Sequence, residues 1–486
     1  MSKVAINQLQ TGVPGLDEIL GGGLPELSFN LIAGPPGGGK TTLAHQMMFA
    51  MASSERKALY LSVMGEPPLK MLRYQQQFSF FDAAKVNKSI RFVSLSSEAA
   101  SGDLGRVLAR IASEVQAHGP SLVFVDSFRS VVLSSQSDSH QHLQLFMQQL
   151  GMLMTSWQAT SFLIGEYSDE ADPSPVLTVA DGIIWLRQSV QRNSMVRKLE
   201  VMKMRGRSCL PGLHTFRISE HGLKVFPPAG WAGYPNGKAP AAAAPRISIG
   251  VPRLDEMLGG GLPRGYSVLI AGPSGSGKTI LASAFLAEGA KQGETGVVAV
   301  FEQDPNRSRN RIIADLVDAG HVSLVDSRSR DLSIDEIVLE IMSEITRLKA
   351  TRVVIDSLSG FELSIAPTFQ PDFRESLARM VGALARTGVT VLMTSELEDR
   401  YTDLRFSPYG TAFLTDAIIV QRYIELDSRL QRMTAVVKVR ASSHSDELRL
   451  FSIDDHGIHV AGIIPDQEGL LGGRPTRIRQ QKLRIL

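Results

Sequence analysis

The feature that most constrains this chain is a glycine-rich octet that occurs twice in the same setting: Gly34-Pro35-Pro36-Gly37-Gly38-Gly39-Lys40-Thr41 and Gly272-Pro273-Ser274-Gly275-Ser276-Gly277-Lys278-Thr279. Each fits the pattern of a glycine, four residues, then Gly-Lys-Ser/Thr. Each also follows an apolar run, Leu31-Ile32-Ala33 or Val268-Leu269-Ile270-Ala271, and precedes a stretch of helical character. A loop wrapped around an anion needs consecutive N–H groups turned inward, and side chains obstruct the dihedrals this requires, hence the glycines. The pattern therefore predicts a strand, a phosphate-cradling loop and a helix whose N-terminus adds the positive end of its dipole, built twice.

In such a cradle Lys40 and Lys278 reach the β- and γ-phosphates of a nucleoside triphosphate, and Thr41 and Thr279 offer a hydroxyl to Mg²⁺. The predicted nucleotide contacts are completed by Gly34, Gly37, Gly38, Gly39 and Thr42 in the first copy. In the second they are Gly272, Ser274, Gly275, Ser276, Gly277 and Ile280.

The duplication reaches well beyond the loops. Gly12-Val13-Pro14-Gly15-Leu16-Asp17-Glu18-Ile19-Leu20-Gly21-Gly22-Gly23-Leu24-Pro25 reappears as Gly250-Val251-Pro252-Arg253-Leu254-Asp255-Glu256-Met257-Leu258-Gly259-Gly260-Gly261-Leu262-Pro263, and His221-Gly222-Leu223 as His456-Gly457-Ile458. So long a period means tandem globular domains rather than a solenoid. At 486 residues, 43% hydrophobic and 21% charged, the chain has material for two such cores. The Pro-, Gly- and Ala-rich stretch from Pro227 to Arg246 reads as a linker. The expected layout is a first domain at 1–226, a linker at 227–246, a second domain at 247–464 and a basic tail at 465–486. No apolar run approaches the roughly 20 residues of a membrane helix, and no signal-peptide apolar region stands near Met1. Together with the single cysteine, Cys209, this gives a cytoplasmic expectation.

Short apolar runs (Ala58 to Val63, Leu122 to Val125, Ser161 to Gly165, Gly182 to Leu186) alternate with helix-like segments. The pattern predicts an α/β fold, a mostly parallel sheet with helices on both faces and the ligand beyond the carboxyl ends of the strands. Asp126 and Asp356 each close an apolar run. Such an aspartate starts a turn in many proteins, but downstream of a P-loop it supports Mg²⁺. Hydrolysis needs a carboxylate to orient and deprotonate water. The candidates are Glu66, in Met64-Gly65-Glu66-Pro67-Pro68, and Glu302, in Phe301-Glu302-Gln303-Asp304-Pro305. The two stand at successive places of a common alignment, which predicts unequal sites. Lys203 with Arg205, and Lys438 with Arg440, are cation pairs at i, i+2, expected on one face of a strand and suited to neutralising phosphoryl charge.

Taken together, the duplicated loops, the Gly-Val-Pro-x-Leu-Asp-Glu lead-in, Asp126 and Asp356, and the Lys-x-Arg strands resemble the KaiC-type ATPases of the RecA-like superfamily over nearly the whole chain. The resemblance implies two RecA-like domains per subunit, a double-ring homohexamer, ATP with Mg²⁺ between neighbouring subunits and slow hydrolysis. It also implies that Lys203, Arg205, Lys438 and Arg440 contact ATP held by the adjacent subunit. Ser442-Ser443-His444 resembles the family pattern and adds His444 to those contacts, while Cys209 stands at the matching place in the first copy. The chain departs where the clock proteins of the family phosphorylate a Ser-Thr pair: Ala412-Phe413 stand there, and neither accepts a phosphoryl group. Protein partners of signalling or clock type are expected. A RecA-like DNA-dependent ATPase and a non-catalytic ATP-binding scaffold are the alternatives. The formal charge of +2 gives no global field for nucleic acid, although the run from Asn306 to Arg311 and the basic tail keep DNA in play.

Overall fold

The apolar runs of each half come together in one nine-stranded sheet, counted among the described residues. The computed structural model describes residues 6–63, 68–100, 103–126, 140–156, 158–167, 175–191, 194–228, 245–301, 311–326, 332–397, 414–426, 428–463, 467–468 and 476–477. The chain divides into two units, Met1–Pro228 and Ala229–Leu486.

The first unit contains β1 (Phe29–Gly34), β2 (Ala58–Ser62), β3 (Ile90–Ser94), β4 (Leu122–Asp126), β5 (Thr160–Glu166), β6 (Gly182–Gln191), β7 (Ser194–Met204), β8 (His214–Ser219) and β9 (Gly222–Phe226). Their order across the sheet is 3-2-4-5-1-6-7-8-9. Strands β3 through β6 are parallel, and β7, β8 and β9 extend the sheet antiparallel. The second unit repeats this path with β10 (Ser267–Gly272), β11 (Gly296–Val300), β12 (Val322–Asp326), β13 (Arg352–Asp356), β14 (Thr390–Glu396), β15 (Ala417–Leu426), β16 (Arg429–Val439), β17 (Arg449–Asp454) and β18 (Gly457–Ile463).

Parallel strands covered on both faces can be apolar at every position, and successive side chains then enter different cores. Leu31, Ala33, Leu59, Leu61, Val123 and Val125 pack into one cluster, whereas Ile32, Tyr60, Phe124 and Phe162 pack into another. Helix α1 (Lys40–Met51) covers the second cluster with Leu43, Met47 and Met48. Helices α2 (Leu104–His118) and α3 (His140–Ser156) cover the first with Val107, Ile111, Leu150 and Met154. In the second unit α4 (Lys278–Lys291) takes the place of α1, and α5 (Ile334–Leu348) with α6 (Phe373–Arg386) covers the other face. Asp103 caps α2 by accepting from the N–H groups of Gly105 and Arg106, and Ser333 with Glu336 forms a reciprocal cap on α5. Each cap contributes about 1 kcal/mol. No helix among the described residues is long and apolar enough to cross a membrane.

One local expectation is corrected. Strands β7 and β16 stop at Met204 and Val439, so Arg205 and Arg440 lie one residue past their strands rather than on a strand face with Lys203 and Lys438. Register shifts beside these ends, between Ile183 and Ile184 and between Ile418 and Ile419, mark the irregularity.

Candidate nucleotide sites

At the carboxyl end of β1, the middle strand of the nine, the chain turns through Pro35 to Gly39 into α1. Gly37 (φ 72°) and Gly39 (φ 95°) occupy the left-handed region. A Cβ at Gly39 would also come within 2.7 Å of Ile218 Cδ1 and push that side-chain end aside, so the left-handed backbone is the stronger demand for glycine there. Helix α1 begins at Lys40, whose Nζ donates to the Pro35 carbonyl at 2.8 Å, inside the loop. Burial lowers the Lys40 pKa, while Glu166 and Asp126 work to raise it. A buried ammonium whose local acceptor is a loop carbonyl suits an anionic ligand that would supply stronger acceptors.

Thr41 Oγ1 donates to Asp126 Oδ2 at 2.9 Å, and the Tyr60 hydroxyl donates to the same oxygen at 2.6 Å. Burial pushes the Asp126 carboxyl above its ordinary pKa; the two hydroxyl hydrogen bonds and Lys40 oppose that shift, and Glu166 adds to it. A carboxylate beside a P-loop threonine suits Mg²⁺, which keeps several waters and binds through one or two carboxylates plus phosphates.

The second unit presents the same parts around a cleft of about 260 Å³, lined by Ser274, Gly275, Lys278, Thr279, Asp356 and Glu396, with Gly277 and Ile280 also at its wall. Lys278 Nζ donates to the carbonyls of Gly272 at 2.9 Å and Pro273 at 2.8 Å. Gly275 (φ 74°) and Gly277 (φ 106°) repeat the left-handed turns. Ser276 is buried, its hydroxyl directed at Gln421 Oε1. Thr394 donates to Asp356.

The predicted loop residues and aspartates thus converge within each unit, with Thr42 following in α1. Glu66 and Glu302 lie outside the described residues, as do Ala412 and Phe413. Sequence reasoning missed Glu166 and Glu396, which end β5 and β14 in register with Gly34 and Gly272. Their identical offset from the end of an apolar run in both copies was the available signal. It also missed Tyr60 and Thr394, buried hydroxyls within strands β2 and β14.

The cation pairs lie elsewhere. Lys203 pairs with Ile183 and Ile183 with Leu31, three residues before the end of β1, and Arg205 donates its N–H to Asp181, which in turn donates to Phe29 at the start of β1. Lys438, Ile418 and Leu269 repeat the relation, as do Arg440, Asp416 and Ser267. Both pairs therefore sit toward the edge of the sheet opposite their own P-loop. There Lys203 donates to the carbonyls of Leu177 and Thr178, and Lys438 to that of Thr415. Arg205 and Arg440 form ion pairs with Asp181 (3.2 Å) and Asp416 (3.3 Å). Burial lowers the pKa of Lys203 and of Lys438, and the neighbouring arginine of each pair lowers it further. His444 follows in a loop held against the lead-in, where Ser445 donates its N–H to Met257.

A P-loop between the central strand and its helix, an aspartate closing β4 or β13, and the strand order of both sheets define a RecA-like P-loop nucleotide-hydrolase domain, present twice. The family described as ATPase: KaiC matches residues 9–230 and again 247–464, and the chain belongs to that family of P-loop ATPases. Among curated proteins it is similar to the circadian clock oscillator protein KaiC of Rippkaea orientalis, 27% identical over 489 residues, covering 97% of this chain and 92% of the relative. The protein of the same name from Synechococcus elongatus is 26% identical over 494 residues, covering 98% of this chain and 93% of the relative. KaiC 1 of Synechocystis is 26% identical over 491 residues, covering 97% and 92%.

Proposed function

We propose that this chain is an ATPase that binds ATP with Mg²⁺ at two sites, hydrolyses it slowly within a double-ring homohexamer, and presents its nucleotide state to protein partners of signalling type. The observation that carries this reading is the separation, in both units, of the phosphate cradle from the Lys-x-Arg cations across the sheet. Cations so placed serve a cradle on another copy. A repeated head-to-tail contact of that kind closes into a ring when its rotation permits.

In this reading Lys40 and Lys278 neutralise the β- and γ-phosphates, while the glycine backbones and helix N-termini receive the phosphate oxygens. Mg²⁺ bound beside Thr41 and Asp126, or Thr279 and Asp356, would supply charge neutralisation at the β- and γ-oxygens. Lys203, Arg205, Lys438, Arg440 and His444 act on the neighbour's nucleotide. Glu66 and Glu302 orient and deprotonate water, at unequal rates. The domains are placed at 1–226 and 247–464, joined by a linker at 227–246 and followed by a basic tail at 465–486, in a cytoplasmic protein. The relatives' printed role as clock oscillators makes clock-type partners the first class to try. Ala412 and Phe413 carry no hydroxyl at the places of the family's phosphoacceptor pair, and nothing in the spacing favours Ser407 or Thr411 as a substitute, which speaks against a phosphorylation-timed oscillator.

The test is native mass measurement with and without Mg–ATP, coupled to counting ADP and phosphate released per subunit. A nucleotide-dependent hexamer with slow turnover is expected, with lower nucleotide content in Lys40→Ala and Lys278→Ala. Unchanged mass and nucleotide content in both variants would reject the reading, and tight binding without turnover would leave a scaffold in its place.

A further inference from the structure

We infer that each magnesium aspartate is aimed by a buried hydroxyl from a flanking strand, in addition to any contact from the P-loop threonine, and that a different strand supplies it in the two sites, with Tyr60 positioning Asp126 and Thr394 positioning Asp356. The inference rests on the nucleotide reading above and concerns how the carboxylate is held.

In the first unit the donor comes from β2. Tyr60 is 1% exposed, and its ring is enclosed by His45, Phe92 and Phe124 at centroid distances of 4.6, 5.4 and 6.4 Å. From that slot its hydroxyl reaches Asp126 at 2.6 Å. A phenol buried among aromatic rings requires a polar partner, and the packing leaves its ring little freedom to choose another. On the other flanking strand the position in register with Asp126 carries no donor: Ile164 on β5 is fully buried and apolar.

In the second unit the roles of the flanking strands are exchanged. The place of Tyr60, which pairs with Phe124 two residues before the aspartate, is taken by Val298, which pairs with Val354 two residues before Asp356. The place of Ile164, which pairs with Ile32, is taken by Thr394, which pairs with Ile270 and donates to Asp356. A hydroxyl lost on one side is matched by one gained on the other. The neighbouring Ser395 hydroxyl is buried without a hydrogen-bond partner among the described residues, whereas the Tyr60 and Thr394 hydroxyls each reach the aspartate, so a hydroxyl merely buried near the strand end does not suffice to make this contact.

A carboxylate that holds a metal through oxygen or water needs its plane set before the ion arrives, because outer-shell partners of this kind alter metal affinity by about 10- to 100-fold. Tyr60 and Thr394 are therefore positioning residues. They act through the aspartate on the magnesium requirement of each site and leave metal-free nucleotide contacts to the P-loop.

The experiment uses the full chain with one site silenced at a time. In a Lys278→Ala background, Tyr60→Phe is titrated with Mg²⁺ while binding of a fluorescent ATP analogue is followed; Thr394→Val is treated alike in a Lys40→Ala background. Each variant is expected to raise the half-saturating Mg²⁺ about 10-fold, with binding in excess chelator unchanged within about twofold. Tyr60→Phe with Ile164→Thr, which moves the donor to the other strand, is expected to return the Mg²⁺ requirement toward the parent. Unchanged Mg²⁺ titrations, an equal fall of metal-free and metal-dependent binding, or a shift that the relocated hydroxyl does not reverse would each overturn the inference. A Lys278→Ala parent that binds no analogue at any Mg²⁺ would instead reject the nucleotide reading of the first site, and this inference with it.

Discussion

Two variants, each inactive alone, should restore hydrolysis to one another when assembled together. One carries Lys203→Ala and Arg205→Ala; the other carries Lys40→Ala, and both carry Lys278→Ala so that only the first site reports. Lys203 is level with Leu31 on a strand two removed from β1. At about 3.3 Å per residue and about 4.8 Å per strand, its Cα stands about 14 Å from that of Gly34, and Arg205, level with Phe29, about 19 Å. The loop continues away from both. At roughly two Debye lengths the exposed Arg205 has almost no influence on its own cradle. Removing cations that meet the transferred phosphoryl group costs about 10³- to 10⁵-fold in rate, so each variant alone should be near background. In equal mixtures co-assembled by removing and restoring nucleotide, about one quarter of head-to-tail interfaces join an intact cradle to intact cations. Phosphate release should rise to about that fraction of the parent. A mixture no faster than the sum of its separate components would refute the trans arrangement, as would near-parental turnover by the cation variant alone.

Further outcomes follow from single positions. Gly277→Ala puts a Cβ within 2.6 Å of Ile453 Cδ1 at a φ of 106°, so nucleotide carried by the second site of a Lys40→Ala chain should be lost on purification; normal content would contradict the geometry. Arg352 is 1% exposed, donates to Glu294 at 2.6 Å and to the carbonyls of Ser248 and Phe285 at 2.8 Å, and its loss takes a donor from both carbonyls and one of two arginine partners from the partly exposed Glu294. Arg352→Ala should destabilise the second unit by about 1–3 kcal/mol in denaturant titration, the cost of leaving buried acceptors without their donor. Burial works to raise the Glu294 pKa, but Arg352 and Arg264 outweigh it and hold the carboxyl below its ordinary range. Because the folded-state value is the lower one, this stabilisation is present above the unfolded pKa of about 4.3 and is lost as pH falls through the folded value. The stability gap between parent and Glu294→Gln should therefore be wide near neutrality and close in acid; a gap that is constant with pH would contradict this.

The loop chemistry was legible because it is local. Glycines at forced dihedrals, a lysine at the helix start and a threonine beside it lie within eight consecutive residues, and their roles follow from covalent neighbours alone. Continuous apolar runs likewise announced buried parallel strands, since a strand covered on both faces has no polar side to show. The Lys-x-Arg pairs were legible as residues but not as positions. Their spacing suggests a shared strand face, yet a register shift beside the strand end and the antiparallel turn from β6 into β7 carry them toward the strand ends opposite the P-loop. Glu166 and Glu396 escaped notice because nothing in a strand-end glutamate reveals which strand lies beside the P-loop.

What the sequence by itself determined is that two glycine-lined phosphate loops, each followed by a strand-closing aspartate, stand in duplicated α/β domains. Only the tertiary structure decided which distant residues support that chemistry. Thr41 and Asp126 are 85 positions apart, Tyr60 and Asp126 are 66 apart, and Arg352 meets a carbonyl 104 residues away at Ser248. Such contacts are set by strand order and register, which arise from packing apolar faces over the whole sheet, and no short run of residues encodes them.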